Sequence, residues 1–139
     1  MPNVVLDSNV LVSAFASRDP AAPTRRALAL ARSKHRLCLS GAVVGEVGRV
    51  LLRPKFGRYG ATPATVAAYL DLLRLGGLVV EPGERVAECR DPDDDRVLEL
   101  ALACSAAAVV SGDADLRALH PWRGVPILSP REFAERDGP

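Results

Sequence analysis

The residues of this chain whose types and spacing could do chemistry are carboxylates. Asp7 closes the apolar run Val4-Val5-Leu6 and is followed by Ser8-Asn9. Asp113 follows a second apolar run, Ala107 to Val110, after Ser111-Gly112. Glu46 sits between Val43 and Val50 at helical spacing, and Asp91-Pro92-Asp93-Asp94-Asp95 is the densest acidic stretch. Carboxylates without histidine or cysteine partners suit hard divalent cations, Mg²⁺ or Mn²⁺. Such ions activate water and stabilise charge on a phosphodiester in transit. His35 and His120 have no acid or serine placed for a triad and are expected at the surface or in loops; Trp122 is expected to pack.

Each acid also has a plainer use. Asp-Ser-Asn is a good helix cap, so Asp7 alone says little, and acids near a helix N-terminus are favoured by the helix dipole. Four acids in five residues exceed what capping requires. Asp94 stands in line with Val97, Leu98 and Ala101, which makes it the inward-pointing candidate. Asp95 is offset by about 100°, and Asp91 is placed as a cap or an outer ligand. Glu46 shares the face of Val43 and Val50, where an acid is costly unless it reaches water, a cation or a partner. Arg49 and Arg53 follow it along the same flank, able to pair with it or to reach phosphates.

These residues must be positioned by elements, and the chain reads as strands alternating with helices. Val4–Leu6, Leu37–Leu39, Leu78–Val80, Ala107–Val110 and Val125–Leu128 are strand candidates. Between them the sequence predicts helices over residues 21–32, 42–53, 62–75, 93–105 and 115–119, with a basic loop or turn at 55–60 and a last helix opening at Ser129-Pro130. This alternation argues for an α/β protein with a parallel sheet covered on both faces. In such sheets ligands sit beyond the carboxyl ends of the strands, so Asp7 and Asp113 should project at one edge.

A chain of 139 residues with 48% apolar and 4% aromatic content is one domain with an aliphatic core. No apolar run approaches the ~20 residues of a membrane span, and the N-terminus does not read as a signal peptide. Cys38, Cys89 and Cys104 form no zinc-like pair and fit a reducing cytoplasm. The net charge of +1 is unevenly placed. Residues 18–58 carry ten Lys/Arg against two acids, and residues 59–139 carry eight Arg against fourteen acids. A cation site beside a polyanion track is one consequence; a solvated surface of mixed charge is the other.

The ordered set of motifs resembles PIN-domain nucleases, in particular their toxin-like, VapC-like branch. The matching segments are Val5-Leu6-Asp7-Ser8-Asn9-Val10-Leu11, Glu46-Val47, Asp91 to Ala101, Val109 to Leu116, and Ile127 to Phe133. The resemblance implies a three-layer α/β/α Rossmann-like fold with a central parallel sheet of about five strands, on a single PIN domain over residues 1–139. It implies a homodimeric Mg²⁺- or Mn²⁺-dependent endoribonuclease with an RNA substrate and an antitoxin protein as partner. Carried over by motif, Asp7, Glu46, Asp94 and Asp113 would be the catalytic, metal-binding acids, with Asp91, Asp95 and Asp115 as alternates. Asn9 and Ser111 would support them, and Arg49 and Arg53 would meet RNA phosphate.

Two other readings compete. A phosphotransfer hydrolase with an aspartyl nucleophile at the first strand wants a second acid two residues on, and that position is Asn9. A catalytically silent domain kept for RNA or protein binding would not need every acid position filled.

Overall fold

Val4, Val5 and Leu6 are buried, as a strand covered on both faces requires, and they form β1 (Asn3–Leu6). In the computed structural model, which describes residues 1–137, β1 is the middle of a five-stranded parallel sheet. The others are β2 (Arg36–Leu39), β3 (Leu78–Val79), β4 (Ala108–Val110) and β5 (Ile127–Leu128), in the order β3-β2-β1-β4-β5. Val4 pairs with Leu37 on one side and Ala108 on the other; Leu6 pairs with Val110. The sheet grows outward from β1 to β3, then returns to the other side of β1 for β4 and β5. The order therefore reverses between β1 and β4, which is where open sheets of this kind bind ligands.

Helices flank the sheet in the expected α/β/α arrangement. They are α1 (Ser8–Ala16), α2 (Pro23–Lys34), α3 (Gly41–Leu51), α4 (Pro63–Gly76), α5 (Pro92–Ala103), α6 (Ala114–Arg117) and α7 (Pro130–Asp137). Only Asp7 separates β1 from α1, so the strand turns into the helix at the carboxylate itself. The Ser40 hydroxyl accepts the Val43 N–H to start α3, and Thr62 with Thr65 forms a reciprocal capping box for α4. α3 packs on α1, α4 and α5, while α2 lies on α1 and α7. The Tyr69 hydroxyl donates to the Leu11 carbonyl at 2.7 Å, tying α4 to α1.

Several boundaries differ from the sequence reading for local reasons. The second helix starts at Pro23 rather than Ala21, because the Asp19 carboxylate accepts the Ala21 N–H in a turn and Pro23 takes the first helical position. Val125 is not in β5: it exchanges backbone hydrogen bonds with Trp122 instead. Residues 54–59 are a 3₁₀ helix (Pro54–Tyr59), closed by Gly60 at φ +84°. His35 is buried against Phe133, with ring centroids 5.1 Å apart, and not at the surface. Trp122 packs in the core, and its indole N–H donates to Glu88.

One glycine is fixed by close approach. A Cβ at Gly77, between α4 and β3, would lie 2.8 Å from the Leu37 carbonyl oxygen and 2.9 Å from that of Leu73. Both are backbone atoms and cannot swing aside. Gly77→Ala is expected to destabilise the protein by about 1–3 kcal/mol, read as a lower urea midpoint with an unchanged m-value.

Candidate active site

Two strand ends and two helices bring acids together at the carboxyl edge of the sheet. Asp7 caps α1 in position, but its carboxylate makes no side-chain capping bond; it accepts the Ser111 hydroxyl at 2.8 Å and the Ser8 hydroxyl at 3.3 Å. Asp113 follows β4, and its N–H donates to the same Ser111 hydroxyl at 3.0 Å. Ser111 thus holds both strand ends with one oxygen, as donor to Asp7 and acceptor from Asp113. Glu46 comes from the middle of α3 and is half-buried. Asp94 comes from the first turn of α5 and is 6% exposed.

Asp7, Glu46, Asp94 and Asp113 line one pocket of about 480 Å³, together with Asp91 and Asp93. Asp91 caps α5 by accepting the Asp93 N–H at 3.0 Å, while remaining on the pocket wall. The other two alternates are elsewhere. The Asp95 carboxylate turns away and accepts the N–H groups of Glu88 and Cys89. Asp115 is exposed outside the pocket and faces Arg90 at 3.6 Å. Asn9 is on the pocket wall and Arg53 on its rim, whereas Arg49 is exposed and outside the lining.

Sequence reasoning singled out neither Ser8 nor Asp93, and it did not place Lys55, Phe56 or Tyr59 at the site. Ser8 was hidden as the second letter of a capping triplet; it is buried beneath Asp7. The 3₁₀ helix delivers Lys55, Phe56 and Tyr59 to the pocket rim. Its signal in the sequence was a basic stretch with interleaved aromatics, without a periodicity that fixed which residues face inward.

The acids repel one another in a poorly hydrated place. Burial raises the Asp7 carboxyl above its ordinary range; the Ser111 hydroxyl, a nearby Asn9 N–H that makes no capping bond, and Ser8 oppose this, and the Asp113 charge adds to it. Burial also raises Glu46, opposed by the Ser8 hydroxyl and reinforced by Asp93, Asp7 and Asp91. Asp94 is pushed up to about 8 by burial, by its hydrogen bond with Asp113 and by the charges of Asp113, Asp7 and Asp91.

The family model for the PIN domain matches residues 3–115. An uncharacterized protein of Methanocaldococcus jannaschii, MJ1680, is 27% identical over 140 residues, covering 95% of this chain and 89% of its own length. In fold, the chain is similar to a chain of the crystal structure of VapBC2 from Rickettsia felis bound to a DNA fragment from their promoter. The TM-score is 0.60 at 12% identity, over 91% of this chain and 98% of that one. No helix among the described residues is long and apolar enough to cross a membrane.

The raised Asp94 carboxyl makes stability depend on pH in a stated direction. Between its ordinary 3.8 and about 8 the folded state holds a proton that the unfolded state has lost, so stability falls as pH rises through that window. Asp95 is lowered by its backbone N–H donors against the opposing effect of burial, so its own window lies below 3.8 and does not overlap. The metal-free protein is expected to have a lower Tm at pH 8 than at pH 5, and Asp94→Asn should remove much of that difference. Parallel pH–Tm profiles for the two proteins would refute the assignment.

Proposed function

This chain belongs to the PIN-domain family, whose members are nucleases, and on that premise we propose that it is a divalent-metal-dependent endoribonuclease. It hydrolyses phosphodiester bonds of RNA and serves as the toxin of a toxin–antitoxin pair. One observation carries the reading: Asp7, Glu46, Asp94 and Asp113, from four separate elements, line one pocket at the reversal of strand order. Arg53 and Lys55 line that same pocket, where they can neutralise phosphate charge.

PIN nucleases generally use divalent metal ions, and an all-carboxylate donor set with buried, mutually repelling members fits Mg²⁺ or Mn²⁺. Among the described residues, no three His, Cys, Asp or Glu side chains stand as a ready-made metal site. Mg²⁺ does not require one: it keeps several waters and takes one or two carboxylates directly. When bound, such an ion supplies Lewis-acid stabilisation of the phosphate and a nucleophile at neutral pH. The chain's own residues do the rest. Ser111 and Ser8 orient Asp7; Asp94 and Glu46 face the same space, where they would bind the cation as carboxylates; and Asn9 lines the wall.

In this reading residues 1–139 form a single PIN domain acting in the cytoplasm as a homodimer. The similarity in fold to a chain from the VapBC2–DNA structure supports an antitoxin protein as partner. A second reading is a silent PIN-like domain that binds RNA or protein, for which the basic residues Arg53 and Lys55 at the pocket would suffice.

Incubation with single-stranded RNA separates the two. Cleavage is expected with Mn²⁺ or Mg²⁺ and is expected to stop in EDTA. Asp7→Asn and Asp113→Asn should each lower the rate by at least about 100-fold, more than loss of a supporting group would. Unchanged cleavage in both variants would refute the site. RNA binding with neither cleavage nor calorimetric uptake of Mn²⁺ would establish the silent domain.

A further inference from the structure

A second cavity, of about 490 Å³, adjoins the acidic pocket and shares Asn9, Ser13 and Asp113 with it. Its other walls are Val10, Thr24, Gly112 and Pro130. The volume falls within the roughly 300–1,000 Å³ of small-molecule sites. The two cavities differ in chemistry. The acidic pocket carries the carboxylates and both cations, whereas among the described residues Asp113 is the only charged one in the second lining, which has no Lys or Arg.

What the second cavity offers is neutral hydrogen bonding. Asn9 and Ser13 stand one turn apart on one face of α1, and Thr24 comes from the first turn of α2. Among the described residues, the Asn9 amide and the Ser13 and Thr24 hydroxyls make no side-chain hydrogen bond to the protein, so all three are available to a ligand. Val10 and Pro130 add apolar surface.

We infer that this cavity is a nucleobase subsite, which takes the base of a nucleotide next to the phosphate held at the acids and reads its edge with Asn9, Ser13 and Thr24. The inference rests on the nuclease reading above. A phosphate is disfavoured here, because no cation faces it and Asp113 repels it. A base edge fits, because the planar Asn amide presents a donor and an acceptor together, and a hydroxyl can play either part. Single-stranded RNA supplies such unstacked bases. Cleavage should then depend on the identity of one nucleotide beside the cut.

The subsite can be tested without cleavage or metal. Adenosine, cytidine, uridine and inosine (more soluble than guanosine) are titrated to about 10 mM, ample for the ~1 mM affinity of a fragment, and backbone amide shifts are followed by NMR. Shifts should centre on Ser13, Thr24 and Gly112, with one nucleoside bound several-fold more tightly than the others. Thr24→Val, which keeps the shape and removes the hydroxyl, should weaken that nucleoside roughly 3- to 10-fold; Thr24→Trp, which fills the cavity, should abolish the shifts. The proposal is overturned if no nucleoside moves these amides, if shifts fall only on the 3₁₀ helix, or if inorganic phosphate moves the same amides as strongly. RNA cleavage by a protein that binds no nucleoside here would leave the nuclease reading standing and remove the subsite. Nucleoside binding without RNA cleavage would do the reverse.

Discussion

The Asp7 backbone N–H donates to the Val110 carbonyl at 2.9 Å, and the site depends on that bond. It extends the pairing of β1 and β4 one residue past the end of β1, so the turns leaving both strands start side by side. Ser111, the first residue after β4, is buried there, and its hydroxyl spans the gap to Asp7 across 104 positions of sequence. Asp113 is drawn in by its N–H to the same oxygen. A buried carboxylate oxygen deprived of its donor costs about 1–3 kcal/mol. The hydroxyl therefore links the register of the sheet to the position of two acids, and a shift of either strand would part them.

α5 shows how the same side chain is put to different ends by its neighbours. Asp94 and Asp95 are adjacent and both buried. Asp95 accepts two backbone N–H groups, of Glu88 and Cys89, and one turn on Glu99 accepts the Val86 N–H and the Arg96 guanidinium. These two carboxylates bind the connection before α5 to the helix and satisfy the polar groups of a loop that would otherwise be buried without partners. Asp94 faces other carboxylates instead, and burial and those charges raise it to about 8 while its neighbour is lowered. Burial alone therefore does not separate the two acids; the donors each one meets do.

Much of this was legible in the sequence. The apolar runs ending in Asp7 and Asp113 gave the two strand ends, the stripe of Val43 and Val50 gave the facing of Glu46, and the helical phase of Asp94 against Val97, Leu98 and Ala101 separated it from Asp95. The limits are physical. Periodicity says which way a regular helix faces, but a 3₁₀ helix such as Pro54–Tyr59 turns at a different pitch, so Lys55, Phe56 and Tyr59 could not be placed. Arg49 and Arg53 share a flank by spacing, but α3 ends at Leu51, and only Arg53, in the bend beyond it, reaches the pocket. His35 does lie in the connection between α2 and β2, but its burial could not be read from the sequence, since the ring that covers it is Phe133, nearly a hundred residues away. Asp95 and Glu99 owe their roles to a loop without periodicity, which no pattern in the sequence announces.

The separation of charge along the chain acquires a meaning at the pocket. The basic segment places Arg53 and Lys55 at the pocket, and the acidic half supplies Asp91, Asp93, Asp94 and Asp113 to the walls. A phosphodiester entering such a space meets more negative charge than two cations at the rim can offset, and poor hydration of the pocket strengthens the repulsion. On the proposed reading, a divalent ion would reverse the sign: it would relieve the repulsion among the acids and let the same walls anchor phosphate. The relief would also be a source of affinity, since whatever destabilises the metal-free fold and is removed on binding contributes to binding. The mutually repelling acids and the basic rim would then be parts of one device, with the cation as counter-charge for the protein and the substrate together.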